Sequence, residues 1–101
     1  KTFGVANKVS LIAVKVCTSQ GICSTSDVML GLNYVAMQYS QSSDKKAVIN
    51  LSLGGPTSQT FNNAVDSIIK MGIHVVVAAG NNNHENACNY SPASASDTIT
   101  V

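Results

Sequence analysis

With 101 residues, 45% of them apolar, the chain is sized for one small domain with a modest core. A net charge of +1 and a charged share of 11% leave no electrostatic footprint for nucleic acid, an anionic membrane or strongly acidic substrates. The longest apolar runs, residues 11–17 and 73–79, are strand-sized and far short of the roughly twenty residues that span a bilayer.

Residues 1–6 (KTFGVA) contain neither an initiator methionine nor the basic region and apolar core of a signal peptide. At the other end, DTITV carries a β-type alternation that is still running when the sequence stops, so the chain reads as a piece of a longer protein. Residues 9–16 (VSLIAVKV) have the β-branched, apolar character of an interior strand. A loop rich in Ser and Thr follows, in which Cys17 and Cys23 are close enough to close a small ring; with Cys88 they make an odd number, and three reduced thiols fit the same spacing. Ser26 and Asp27 supply an N-cap and an acidic first turn for a helix over residues 27–40. Val28, Leu32, Val35 and Tyr39 would form its inner face, and Met29, Leu30 and Met37 read as packing residues.

After the polar turn QSSDKK, residues 47–53 (AVINLSL) form a second buried strand, closed by Gly54, Gly55 and Pro56. A second helix starts near Thr57 or Ser58, has Phe61, Val65 and Ile68 as its inner stripe, and meets Gly72 where a C′ glycine belongs. The third strand opens the stretch 73–83 (IHVVVAAGNNN), in which a β-branched run gives way to small residues and then to three asparagines. Strand, helix, strand, helix, strand implies an α/β fold: a parallel sheet flanked by helices in a three-layer arrangement, with the loops after the strands gathered on one edge.

At that edge Ser52, Leu53, Gly54 and Gly55 face Ala78, Ala79, Gly80 and Asn81. Small residues there open a slot that suits an extended peptide, and a rigidly held Asn81 amide suits the stabilisation of an oxyanion. The same residues also suit a plain turn and close packing of strand on helix.

The strings NLSLGG (residues 50–55), VAAGNNN (77–83) and NYSPAS (89–94), in this order, resemble the subtilisin-like serine proteases, specifically the proteinase K-like group. FGVA (3–6) and the run ending VKV (14–16) fit as well, so the resemblance runs end to end and implies a partial subtilisin-like fold. It also implies a secreted, monomeric endopeptidase acting on polypeptides through an Asp, His, Ser triad, of which this segment lies between the histidine and the serine. By that mapping the chain is the central part of the catalytic domain and carries none of the triad. His74, His84, Asp27, Asp44, Asp66, Asp97 and Ser52 are not in the family's catalytic contexts.

The resemblance assigns Asn81 to the oxyanion hole. It assigns Ser52, Leu53 and Gly54, beside Gly55, to a substrate-pairing strand lining the pocket for the residue before the scissile bond. Ala78, Ala79 and Gly80 match the pocket's other side. Gly21, Ile22 and Cys23 match a second substrate-pairing strand, where relatives often carry glycines or an aromatic. Cys88 matches a half-cystine whose partner lies downstream. Some relatives bind calcium through backbone oxygens near the positions of Ser96 and Thr98; a proline is usual where Ser96 stands, and neither a metal site nor a cofactor is assigned here. Two other readings are an inactive subtilase homologue acting as a binding protein and a flavodoxin-like module. No glycine-rich phosphate loop follows any strand, which counts against the latter.

Overall fold

A computed structural model describes residues 4–101. Phe3, the first residue of the FGVA string, lies outside the described residues. The elements in chain order are α1 (Thr25–Gln41), β1 (Val48–Leu51), β2 (Gly55–Pro56), α2 (Gln59–Lys70), β3 (His74–Val77), β4 (Tyr90–Ser91) and β5 (Ile99–Thr100).

The sheet is parallel and has the order β1-β3-β5. Its central strand β3 is the HVVV of the apolar run 73–79, in register Ile49↔Val75 and Leu51↔Val77 with β1. Successive side chains alternate between faces, so Leu51, Val75 and Val77 share one face and are buried there. Against that face lie Val28 and Leu32 from α1 and Phe61, Val65 and Ile68 from α2, in one core. The parallel sheet flanked by helices is thus what the chain forms. The two helices also touch each other and so cover the same face. The opposite face presents exposed Val48, His74 and Ile99, and a third layer is not among the described residues.

Residues 9–16, expected as an interior strand, form none. The alternating apolar residues instead pack on a helix: a Cβ on Gly31 of α1 would lie 2.5 Å from Val16 Cγ1 and 3.3 Å from Val14 Cγ1. Leu11 and Ile12 stay 87% and 77% exposed, as expected of an extended segment with no ladder partner among the described residues. Helix propensity alone favours Gly31→Ala by about 1 kcal/mol, whereas overpacking against Val16 costs about 1–3 kcal/mol. A net loss of stability in urea unfolding is therefore expected; a gain would show that the segment does not sit on α1.

The first helix begins two residues earlier than its sequence suggests. Ser24, not Ser26, is the N-cap, and its Oγ accepts from the Asp27 backbone N–H at 3.1 Å. The C-terminal turn of α1 has no basic residue of its own. Lys45 folds back instead, its Nζ donating to the carbonyls of Tyr39 (2.7 Å) and Ser40 (3.0 Å) while lying 5.0 Å from the Tyr39 ring centre. Of the three packing residues expected on α1, Met29 lies against the core, but Leu30 and Met37 are 66% and 49% exposed. Helix α2 starts where expected, on the N-cap Ser58. Gly72 follows its C-cap with φ +102°, and a Cβ there would meet Tyr39 Oη at 2.9 Å, so both backbone and space call for glycine.

Cys17 and Cys23 are joined by a disulfide, and Cys88 is free and exposed. The ring they close is short, and loop-closure entropy for it is worth about 2 kcal/mol. Replacing both cysteines with serine is expected to lower stability by that amount, read as a shift in the urea midpoint.

Candidate active site

The slot lies at the carboxyl ends of β1 and β3. Past Leu51 and Val77 the two chains stay in step for one more residue, Ala78 N–H donating to Leu51 O at 3.2 Å, and then separate. A cavity of about 290 Å³ opens between them. One wall is Ser52, Leu53, Gly54 and Gly55; the other is Ala78, Gly80 and Asn81. Ser52 Oγ is held by the Asn50 side-chain amide, 3.0 Å away. Gly55 and Gly80 have open space where a Cβ would stand, and Gly80 also has φ +108°, so the wall bends away after β3.

Ala79 is not part of the lining. Its N–H donates to Val101 O at 2.7 Å, which ties it to the chain beyond β5. That bond and the one from Ala78 clamp the residues before Asn81 on both sides. Asn81 is exposed, and its side chain makes no hydrogen bond within the described residues, so its NH2 is presented to whatever enters the slot.

Gly21, Ile22 and Cys23 do not line this cavity and do not form a strand. They close a turn in which Thr18 N–H donates to Ile22 O (2.8 Å) and Ile22 N–H to Thr18 Oγ1 (3.2 Å), and Cys23 is locked to Cys17. A side chain that bonds the backbone of its own loop, reinforced by a crosslink, competes with an extended edge. A separate hollow of about 340 Å³ lies between residues 15–18 and the start of α1, lined by Lys15, Asp27 and Leu30 among others.

Three lining residues had no place in the sequence reading of the slot: Pro56, Asn82 and Tyr90. Pro56 and Tyr90 meet because β2 and β4 pair antiparallel, Gly55↔Ser91 and Pro56↔Tyr90. Ser91 fastens this hairpin-like pair to α2: its buried Oγ accepts from Ser58 N–H at 2.8 Å and donates to Ser58 O at 3.3 Å. The NYSPAS string held the signal for Tyr90, but strands of two residues leave no periodicity to read.

No group of three or more His, Cys, Asp and Glu that could hold a metal occurs among the described residues. Near Ser96 and Thr98 stand the carboxylates of Asp97, between them in sequence, and of Asp66, which accepts from Ser96 Oγ at 3.3 Å. Its Oδ1 and that of Asn62, one turn earlier on α2, are buried without partners.

Residues 1–101 match the family model described as the subtilase family. The chain belongs to the subtilase family. Among curated relatives of this subtilase, subtilisin-like protease 2 of Pseudogymnoascus destructans is 49% identical over 100 residues, covering 99% of this chain and 24% of the relative. The cuticle-degrading serine protease of Arthrobotrys oligospora is 46% identical, with 100% of this chain and 24% of the relative covered. A solved cold-adapted subtilisin-like serine proteinase superposes with a TM-score of 0.86 at 38% identity, over 96% of this chain and 34% of that one. This subtilase chain therefore spans about a quarter of the length of the curated relatives it matches.

Proposed function

We propose that the chain is the central part of a serine endopeptidase catalytic domain, in which it supplies the oxyanion-hole donor and one substrate-binding wall. The observation that carries this reading is the unpartnered Asn81 amide, two residues past the clamped end of β3, among the residues lining the slot. Family membership supplies the reaction class: acyl transfer to a serine hydroxyl, with the nucleophile, its histidine base and the orienting aspartate contributed by the parent chain outside these residues.

An extended substrate lies along Ser52, Leu53 and Gly54, its main chain using backbone groups that no strand occupies beyond β1. The side chain preceding the scissile bond enters the slot. As the serine oxygen adds to the carbonyl carbon, the π electrons move to the carbonyl oxygen, and the Asn81 NH2 donates to the oxygen as it becomes negative. Collapse of the tetrahedral intermediate expels the amine, which takes the proton that the histidine received from the serine hydroxyl, and leaves an acyl-enzyme, which water then hydrolyses.

The Cys17–Cys23 disulfide supports an oxidising, extracellular setting, and there the exposed Cys88 thiol pairs with a cysteine elsewhere in the parent. The parent is expected to act as a monomer. The test is hydrolysis of a peptide anilide by the full-length parent before and after treatment with a serine-directed phosphonylating reagent. Hydrolysis that the reagent abolishes supports the reading; a parent that cleaves nothing makes the chain part of an inactive, peptide-binding homologue.

A further inference from the structure

None of the residues lining the slot carries a charge, and Tyr90 is the aromatic among them. Its hydroxyl donates to the Glu85 carboxylate. Glu85 is itself set by its turn: its N–H donates to Asn82 O at 3.2 Å, and the turn passes through Asn83 at φ +52°. The following residues hold the loop's far side, with Cys88 N–H on Asn86 Oδ1 at 2.9 Å and Thr57 Oγ1 donating to Asn89 O at 2.7 Å. No ion pair neutralises Glu85 among the described residues.

A phenol that gives its proton to a carboxylate keeps its oxygen lone pairs as acceptors, and the negative partner strengthens them. A slot with neutral walls, whose lining Tyr90 hydroxyl abuts the exposed Glu85 carboxylate outside it, attracts a cation and repels an anion. Leu53, Pro56 and Ala78 offer the apolar surface along which the methylene stem of a lysine or arginine runs. We propose that Glu85, acting through the Tyr90 hydroxyl, makes the slot select a basic side chain at the substrate residue preceding the scissile bond. This rests on the endopeptidase reading above.

The experiment uses the full-length parent and tetrapeptide anilides that differ only in that residue, bearing lysine, leucine or glutamate. The wild type should cleave the lysine substrate with higher kcat/KM than the glutamate one. Glu85→Gln should lower the lysine-to-leucine ratio of kcat/KM by about three- to tenfold, modest because the carboxylate is exposed. Tyr90→Phe should move the ratio the same way, and raising the salt concentration should shrink the wild-type preference. A ratio unmoved by Glu85→Gln, or an equal fall for all three substrates, overturns the proposal while leaving the endopeptidase reading intact. A parent that cleaves none of the three overturns both.

Discussion

In the full-length parent, Asn81→Ala is expected to lower kcat by about a hundred- to a thousandfold, with little change in KM; that magnitude is the one known for a subtilisin that loses an oxyanion-hole donor, adopted rather than calculated. The split between kcat and KM follows from when the bond forms. A neutral carbonyl oxygen gains little from the amide, whereas the tetrahedral oxyanion gains a charge-assisted hydrogen bond, so the loss falls on the transition state. The backbone that leads to the donor is held in advance. Ala78 and Ala79 are bonded to Leu51 and Val101 on either side, and the Asn81 amide has no internal partner to abandon. Asn81→Asp keeps the shape but replaces the donor with an acceptor-only carboxylate, and is expected to be at least as damaging as alanine. Turnover of Asn81→Ala within threefold of wild type would remove Asn81 from the oxyanion hole.

The parts of this structure legible in the sequence are those whose residues obey a period. The inner stripes Val28–Leu32 and Phe61–Val65–Ile68 recur at helical spacing and are buried, and the β-branched run of β3 became the central strand. The C′ glycine at 72 was legible because a single backbone conformation demands it. Residues 9–16 misled for a physical reason: a β-branched, apolar run marks an extended chain with side chains to bury, and it does not say whether they meet a sheet or a helix. Val14 and Val16 meet α1 at Gly31, a contact between residues far apart in sequence. The small residues of the two main walls stand out in the sequence because Ser52 to Gly55, and Ala78, Gly80 and Asn81, end apolar runs; Ala79, which lies in the same run, bonds to Val101 instead of lining the slot. The slot's Tyr90 side was not legible, because β2 and β4 have two residues each and their pairing depends on the Ser58–Ser91 bonds. Likewise, residues 17–23 contain nothing in their spacing to decide between a pairing edge and the crosslinked turn they form.

Phe61→Ala is expected to destabilise the folded protein by about 3–5 kcal/mol, the range for removing a buried aromatic ring whose cavity collapses only in part. Phe61 is 6% exposed and sits in the first turn of α2, its N–H donating to Ser58 Oγ at 3.3 Å. Its ring shares the core with Leu51 of β1 and Val65 of α2, so its loss loosens the helix end and the sheet together. Small domains are stable by only about 5–15 kcal/mol, so a large fraction of the total goes with one side chain. The consequence reaches the slot through a short chain of bonds. The N-cap Ser58 holds Ser91 through two hydrogen bonds, and Ser91 is the neighbour of Tyr90 in β4. A slackened α2 therefore frees the wall that Tyr90 forms, and the variant should lose affinity for substrate before it loses turnover. Urea unfolding with the active site blocked by inhibitor, to prevent self-digestion, gives the stability change. Phe61→Leu, which keeps most of the volume, should cost less than about 1.5 kcal/mol. A loss below about 1 kcal/mol for Phe61→Ala would mean that the ring is not packed where the core places it, and the link from α2 to the slot would fall with it.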